Sequence, residues 1–202
     1  MRYGAKYAYW APFEGDEPTD GSMPTYGTAS EFGGINESND TLTFADASAY
    51  ADNLRKIYIS EFTSGEISTK ALYRDGTLTA SIFGMGTDDD SGLSYSSTDD
   101  PPYGGYGFIS NRMDANKDRY YEVVFYPKVQ AKPASSNYKT KEDGITLEYE
   151  ELTFAIFECN AEVYKVIKDF DTEDEAKSYL DGLFTGESAV PGVETTTEET
   201  EE

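Results

Sequence analysis

The stretch Arg119-Tyr120-Tyr121-Glu122-Val123-Val124-Phe125-Tyr126, followed by Pro127, decides the fold. β-Branched and aromatic residues crowd it, the composition of a strand. Pro127 predicts an edge position or a strand end. Upstream, residues 103–110 form a glycine-rich but aromatic strand candidate, and residues 57–64 and 66–73 read as two strands separated at Gly65. Asp75-Gly76 then reads as a two-residue hairpin turn leading into a strand over 78–83. Downstream, residues 145–150 and 152–159 alternate apolar and polar side chains, and 163–167 is a further short strand. Residues 45–56 are ambiguous: Asp46 can cap a short helix, while the flanks favour strand.

One helix stands out near the C-terminus. Thr172-Glu173-Asp174-Glu175 is a capping box, and Ala176, Tyr179, Leu180, Leu183 and Phe184 recur at the spacing of one helical face. The acids of the first turn complement the helix dipole. Gly182 is awkward inside this helix, and Gly186 is a terminator. The expected fold is therefore mainly β: a sandwich or barrel with one flanking α-helix near the C-terminus and long loops. These loops cover residues 14–38, 84–103 and 132–144, and loops longer than about 12–15 residues are usually functional or disordered. The domain is expected over 1–184, with an N-terminal arm or loop over about 1–40. Residues 185–202 are read as an acidic disordered tail, with six Glu and no Lys or Arg after Gly186.

Charge and composition exclude several function classes. In 202 residues, 16 Lys and Arg face 39 Asp and Glu, a net charge of −23, and the body without the tail glutamates still carries −17. Tight nucleic-acid binding and docking on an anionic membrane both need clustered cations. The chain has no His and one cysteine, Cys159, which removes an intrachain disulfide, Cys-based zinc sites and His-dependent catalytic triads. No apolar run approaches a membrane span, and Met1 to Trp10 has no signal-peptide core, which predicts a chain folded in a cytosol.

Motifs with possible chemistry resolve into plain readings. Asp114-Ala115-Asn116-Lys117-Asp118 opens like a calcium loop, but Arg119 stands where Gly is needed and Phe125 where Glu is needed, so it reads as a polar turn. Asp88-Asp89-Asp90 and Asp99-Asp100 read as solvated acidic loops, with a hard cation as the other reading. Gly104-Gly105-Tyr106-Gly107 lacks the Lys and the following helix of a phosphate loop and reads as a turn or close backbone approach. With 39 acids, carboxylate pairs are plentiful but no spacing singles one out. No enzyme activity and no cofactor or metal is expected.

The order of segments carries a resemblance. Tyr50-Ala51-Asp52-Asn53, Gly84-Met85-Gly86, Pro101-Pro102, Tyr106-Gly107-Phe108 preceded by Gly105, Tyr126-Pro127-Lys128-Val129 preceded by Phe125, and the 172–184 helix follow one another over residues 3–184. In that order they resemble the major tail proteins of long, non-contractile-tailed bacteriophages. The resemblance implies a tail-tube-type β-sandwich or barrel, six copies to a ring, and rings stacked into a tube that conducts DNA without binding it specifically. It also implies a place in the virion tail after assembly in the host cytoplasm. The partners it implies are further copies of the chain, a tape measure protein, a tail terminator and distal tail proteins, with no membrane. It carries no catalytic residues.

On this reading the long loops supply inter-subunit contacts, with Pro24, Tyr26, Phe32, Tyr95, Pro101 and Tyr103 as candidates. A heterologous contact that closes gives a ring, and one that repeats axially gives a filament. Glu148, Glu150 and Glu158 are candidate lumen acids, because a negative wall repels DNA phosphate. The alternative is a carbohydrate- or receptor-binding β-sandwich of a virion or cell surface, with Trp10 and surface tyrosines as stacking platforms.

Overall fold

A computed structural model describes residues 1–87, 92–133 and 148–193. Of the described residues, 52% are strand and 12% helix. In order it forms β1 (Arg2–Pro12), β2 (Ser30–Glu31), β3 (Ile35–Ala51), β4 (Leu54–Ala71), α1 (Gly76–Phe83), β5 (Gly86–Thr87), β6 (Leu93–Ser94), β7 (Tyr103–Met113), β8 (Arg119–Ala131), β9 (Glu150–Phe157), β10 (Val166–Phe170) and α2 (Glu173–Thr185). All pairings are antiparallel. The main sheet runs β2-β1-β7-β8-β9-β4-β3, with β10 also on β8, while β5 and β6 form a small separate ladder.

Strands β7 and β8 form the centre of this sheet and are buried on both faces, which explains their near-continuous apolar run. Tyr106, Phe108, Val124 and Tyr126 point to one face and join Ala8 and Trp10 of β1, Ile67 and Ala71 of β4, and Phe154 of β9. Strands from distant places in the sheet thus share one cluster, so the sheet curls around its concave side. Leu78, Ile82 and Phe83 of α1 pack into that cluster. On the convex face Ile109, Val123 and Phe125 lie under Ala176, Leu180 and Phe184 of α2.

Proline 127 sits inside β8 rather than at an edge or an end. Between two paired positions β7 advances from Gly104 to Tyr106 while β8 advances from Val129 to Tyr126, a bulge that takes up the extra residue. On the other side, the β10 pairing ends at Phe125 and the β9 pairing begins at Lys128. The missing N–H therefore falls in a gap between ladders, the kind of place where a strand tolerates proline.

The 172–184 helix forms as the capping box predicts. The Glu175 amide donates to Thr172 Oγ1 at 3.3 Å, the Thr172 hydroxyl donates to the Glu175 carboxylate at 2.7 Å, and Gly186 closes the end at φ 78°. Gly182 is explained by packing: a Cβ there would meet Ser188 Oγ at 2.1 Å, because the chain folds back across the helix.

Other sequence expectations are corrected. Residues 78–83 are helical, not a strand. Asp75 is an N-cap whose Oδ1 accepts from the Leu78 amide at 2.6 Å, and Gly84 terminates the helix at φ 64°. Asp-Gly signals a hairpin only when its flanks pair as strands, and here the flanking apolar residues pack at helical spacing instead. Gly65 does not separate two strands: it lies within β4, pairs with Leu42 and Ile156, and lets those neighbours approach. Residues 2–12 are a sheet strand rather than part of a free arm, flanked by β2 and β7. The last short strand lies at Val166–Phe170. Residues 145–147 of the expected 145–150 strand fall outside the described residues, and the strand begins at Glu150.

Candidate assembly surface

The ambiguous segment 45–56 is the distal part of a long hairpin. Asp52 and Asn53, at φ 54° and 62°, make the two-residue connection with both centres in the left-handed region, as a type I′ turn requires. Strand β4 pairs with β9 only from Gly65 to Ala71, so residues 44–62 leave the sheet as a two-stranded arm. Such a ribbon is marginally stable in water by itself.

Register defines two unlike faces. On one, Ala45, Ala47, Ala49 and Ala51 lie along β3, opposite Glu61, Ile59, Ile57 and Leu54 of β4. Leu54, Ile57 and Ile59 are 62%, 55% and 50% exposed. On the other, Asp46 Oδ1 accepts from the Tyr58 hydroxyl at 2.8 Å, and the Arg55 guanidinium lies 4.7 Å from the Tyr58 ring centroid. At the base Phe62 stacks on Tyr164 at 4.2 Å, which anchors the arm. The arm thus presents an apolar face, a polar face and two strand edges that continue past the sheet. An unpaired edge is a template for another chain.

The predicted contact residues scatter. Tyr95 is 72% exposed, Tyr103 is exposed at 40%, and Pro101 is half-buried with its carbonyl accepting from Gln130. Pro24, Tyr26 and Phe32 are buried within the protomer, which keeps their side chains from a surface contact. The 14–38 loop is closed down on the body. The Glu14 amide donates to the Thr25 carbonyl and the Gly27 amide to the Pro12 carbonyl, both at 2.9 Å, and the Tyr26 hydroxyl donates to the Pro127 carbonyl at 2.9 Å. Glu17 pairs with Lys128 at 2.5 Å.

Glu148, Glu150 and Glu158 are all exposed. Glu150 pairs with Arg74 at 3.0 Å. Glu158 follows the far end of β9, about 26 Å from Glu150 at a rise of ~3.3 Å per residue, so the three do not form one cluster. Trp10, the expected stacking platform, is 1% exposed and belongs to the core. Asp114 is the hub of a polar turn between β7 and β8, its carboxylate accepting from the Asn116 and Asp118 amides at 2.8 and 2.9 Å. The glycine run lies in β7, where a Cβ on Gly104 would meet the Ala11 carbonyl at 2.3 Å. The 88–90 acids lie outside the described residues.

One buried acid escaped the sequence reading. Glu122, 1% exposed, points toward one end of the concave core, where Arg2 Nε meets one carboxylate oxygen at 2.9 Å and Arg112 Nη1 the other at 2.5 Å. A polar cleft of about 320 Å³ opens beside it, where Lys165 pairs with Asp40 at 2.6 Å. Only the spacing of Glu122 on the same strand face as Val124 and Tyr126 could have signalled its burial.

No protein-family model matches this chain, and no curated protein matches it.

Proposed function

We propose that this chain is a structural subunit that assembles with its own copies, as stacked and hexameric rings forming a tail tube of the long, non-contractile phage type. The observation that carries the reading is the 44–62 arm. A two-stranded ribbon with Leu54, Ile57 and Ile59 on one uncovered face is a poor free-standing structure and a good interface element. Charge supports the same choice. Copies carrying −23 repel one another, but residues 43–64 hold Arg55 and Lys56 against Asp46, Asp52 and Glu61 and are nearly neutral. Contact through the arm therefore meets little repulsion. The antiparallel β body with a helix on its convex face fits the architecture that the resemblance implies.

In a tube, exposed acids such as Glu148, Glu150 and Glu158 would keep passing DNA from sticking, and Tyr95 and Tyr103 would add to the contacts between copies. Electron microscopy of the purified protein tests the reading. Rings or regular tubes with an open bore are expected, and particles of single-chain size under every condition would overturn it.

A further inference from the structure

On the convex side, the 14–26 loop and the segment that follows α2 enclose a groove of about 460 Å³. Its floor is apolar, made by Met23, Tyr26, Phe184 and Val190, and its rim carries Glu14 and Asp20. No Lys or Arg lines it among the described residues. Asp20 is held ionised: the Ser22 hydroxyl and amide donate to its carboxylate at 2.6 and 3.0 Å and lower its pKa. The groove is thus an apolar floor under a negative rim.

The tip of the arm has the opposite character. Leu54 is 62% exposed, and Arg55 and Lys56, which follow it directly and are both exposed, outweigh the one acid of the turn, Asp52. We propose that the tip of the arm, with Leu54 as its apolar anchor and Arg55 and Lys56 as its charges, docks head-to-tail into this groove on a second copy of the chain. The proposal rests on the self-assembly reading above and names its junction. Tip and groove are different surfaces, so the contact is heterologous and propagates from copy to copy, closing into rings or continuing as a filament according to the rotation between copies. The chain's own residues 194–202 are a poor occupant, because they contain only Glu and Thr and offer neither an apolar anchor nor a cation to this rim.

Charge exchange between two full-length variants tests the junction. One carries Arg55→Glu and Lys56→Glu at the tip, and the other carries Glu14→Lys and Thr185→Arg at the groove. All four positions are exposed, so the core is untouched, and circular dichroism verifies the fold. In the first variant a negative tip faces a negative groove, and in the second both are positive, so each alone should run at the 22.4 kDa monomer mass in light scattering. Mixed in equal amounts, each tip finds an opposite groove, and multimers of wild-type size should return. Either variant assembling alone like the wild type overturns the docking and leaves self-assembly standing. Two monomeric variants that stay monomeric when mixed overturn the tip–groove pairing. A wild-type chain that is monomeric throughout overturns both the junction and the reading beneath it.

Discussion

The Tyr106 hydroxyl and Thr69 Oγ1 lie 2.8 Å apart inside the concave core, both residues fully buried, with Ser38 Oγ 3.4 Å from the same tyrosine. This polar link ties β7 to β4 and β3, which lie apart in the order of the sheet but are brought together by its curl. Burial pushes the Tyr106 pKa up to about 12, so the phenol keeps its proton across the ordinary pH range. Tyr106→Phe removes the link and leaves the Thr69 hydroxyl buried without its tyrosine partner. A loss of about 1–2 kcal/mol is expected, read as a lower urea midpoint with an unchanged slope.

Glu122 is a second polar tie, and its partners differ in burial. Arg2 is 62% exposed and Arg112 29% exposed. Glu122→Gln leaves both guanidinium groups facing an amide and should destabilise the fold by about 2–3 kcal/mol. Arg2→Ala should cost under ~1 kcal/mol, because an exposed partner contributes little and Arg112 still holds the carboxylate. Equal losses in the two variants by chemical denaturation would contradict this account.

Gly107 sets how closely α2 approaches the sheet. A Cβ there would meet Leu180 Cδ1 at 2.7 Å and Phe125 Cδ2 at 2.9 Å. Gly107→Val should overpack the convex core, lowering stability by about 1–3 kcal/mol and raising amide exchange across α2 more than across β3.

The legible parts of this molecule are those whose signals are local. Thr172 and Glu175 satisfy one another within a single turn, so the capping box gave away α2. The β-branched and aromatic run at 119–126 reads as a strand from composition alone, but its central place does not, because Pro127 points to an edge or an end and only the gap between the β10 and β9 pairings shows how the proline is accommodated. Asp75-Gly76 carried two meanings, hairpin turn and helix start, and only the tertiary packing of Leu78 and Ile82 separates them. The arm was hidden for a different reason. Its turn, Asp52-Asn53, lacks the glycine that usually marks a two-residue hairpin, and β3 spells its exposed face in alanine. Tyr26 and Phe32 lie in polar, glycine-rich sequence that reads as surface, yet the loop folds down and contributes both rings to the two cores. Glu122 pairs with Arg2, 120 positions away, and no local pattern reveals such a partner.

Acid weakens the seat of α2 on β1. Lys6 bonds to Glu173, the first residue of the helix, and holds its carboxyl below the ordinary glutamate range, with Tyr7 adding a second hydrogen bond. A depressed folded-state pKa stabilises above the unfolded value, and this contribution disappears as pH falls through the folded value. The Tm gap between the wild type and Glu173→Gln should therefore be open at pH 7 and close in acid below the ordinary glutamate range, once the wild-type carboxyl is protonated. A gap that persists unchanged into that range would contradict the role of the pair.

Self-association through the uncovered face of the arm is the claim from which the rest of the functional account follows, and sedimentation velocity measures it directly. The wild-type chain should sediment as multimers that grow with concentration, while Ile57→Thr/Ile59→Thr, which keeps strand-forming residues but makes the face polar, should sediment as a 22.4 kDa monomer with an unchanged far-ultraviolet spectrum. A wild-type chain that stays at 22.4 kDa at every concentration and salt, or a variant that assembles as the wild type does, would contradict it.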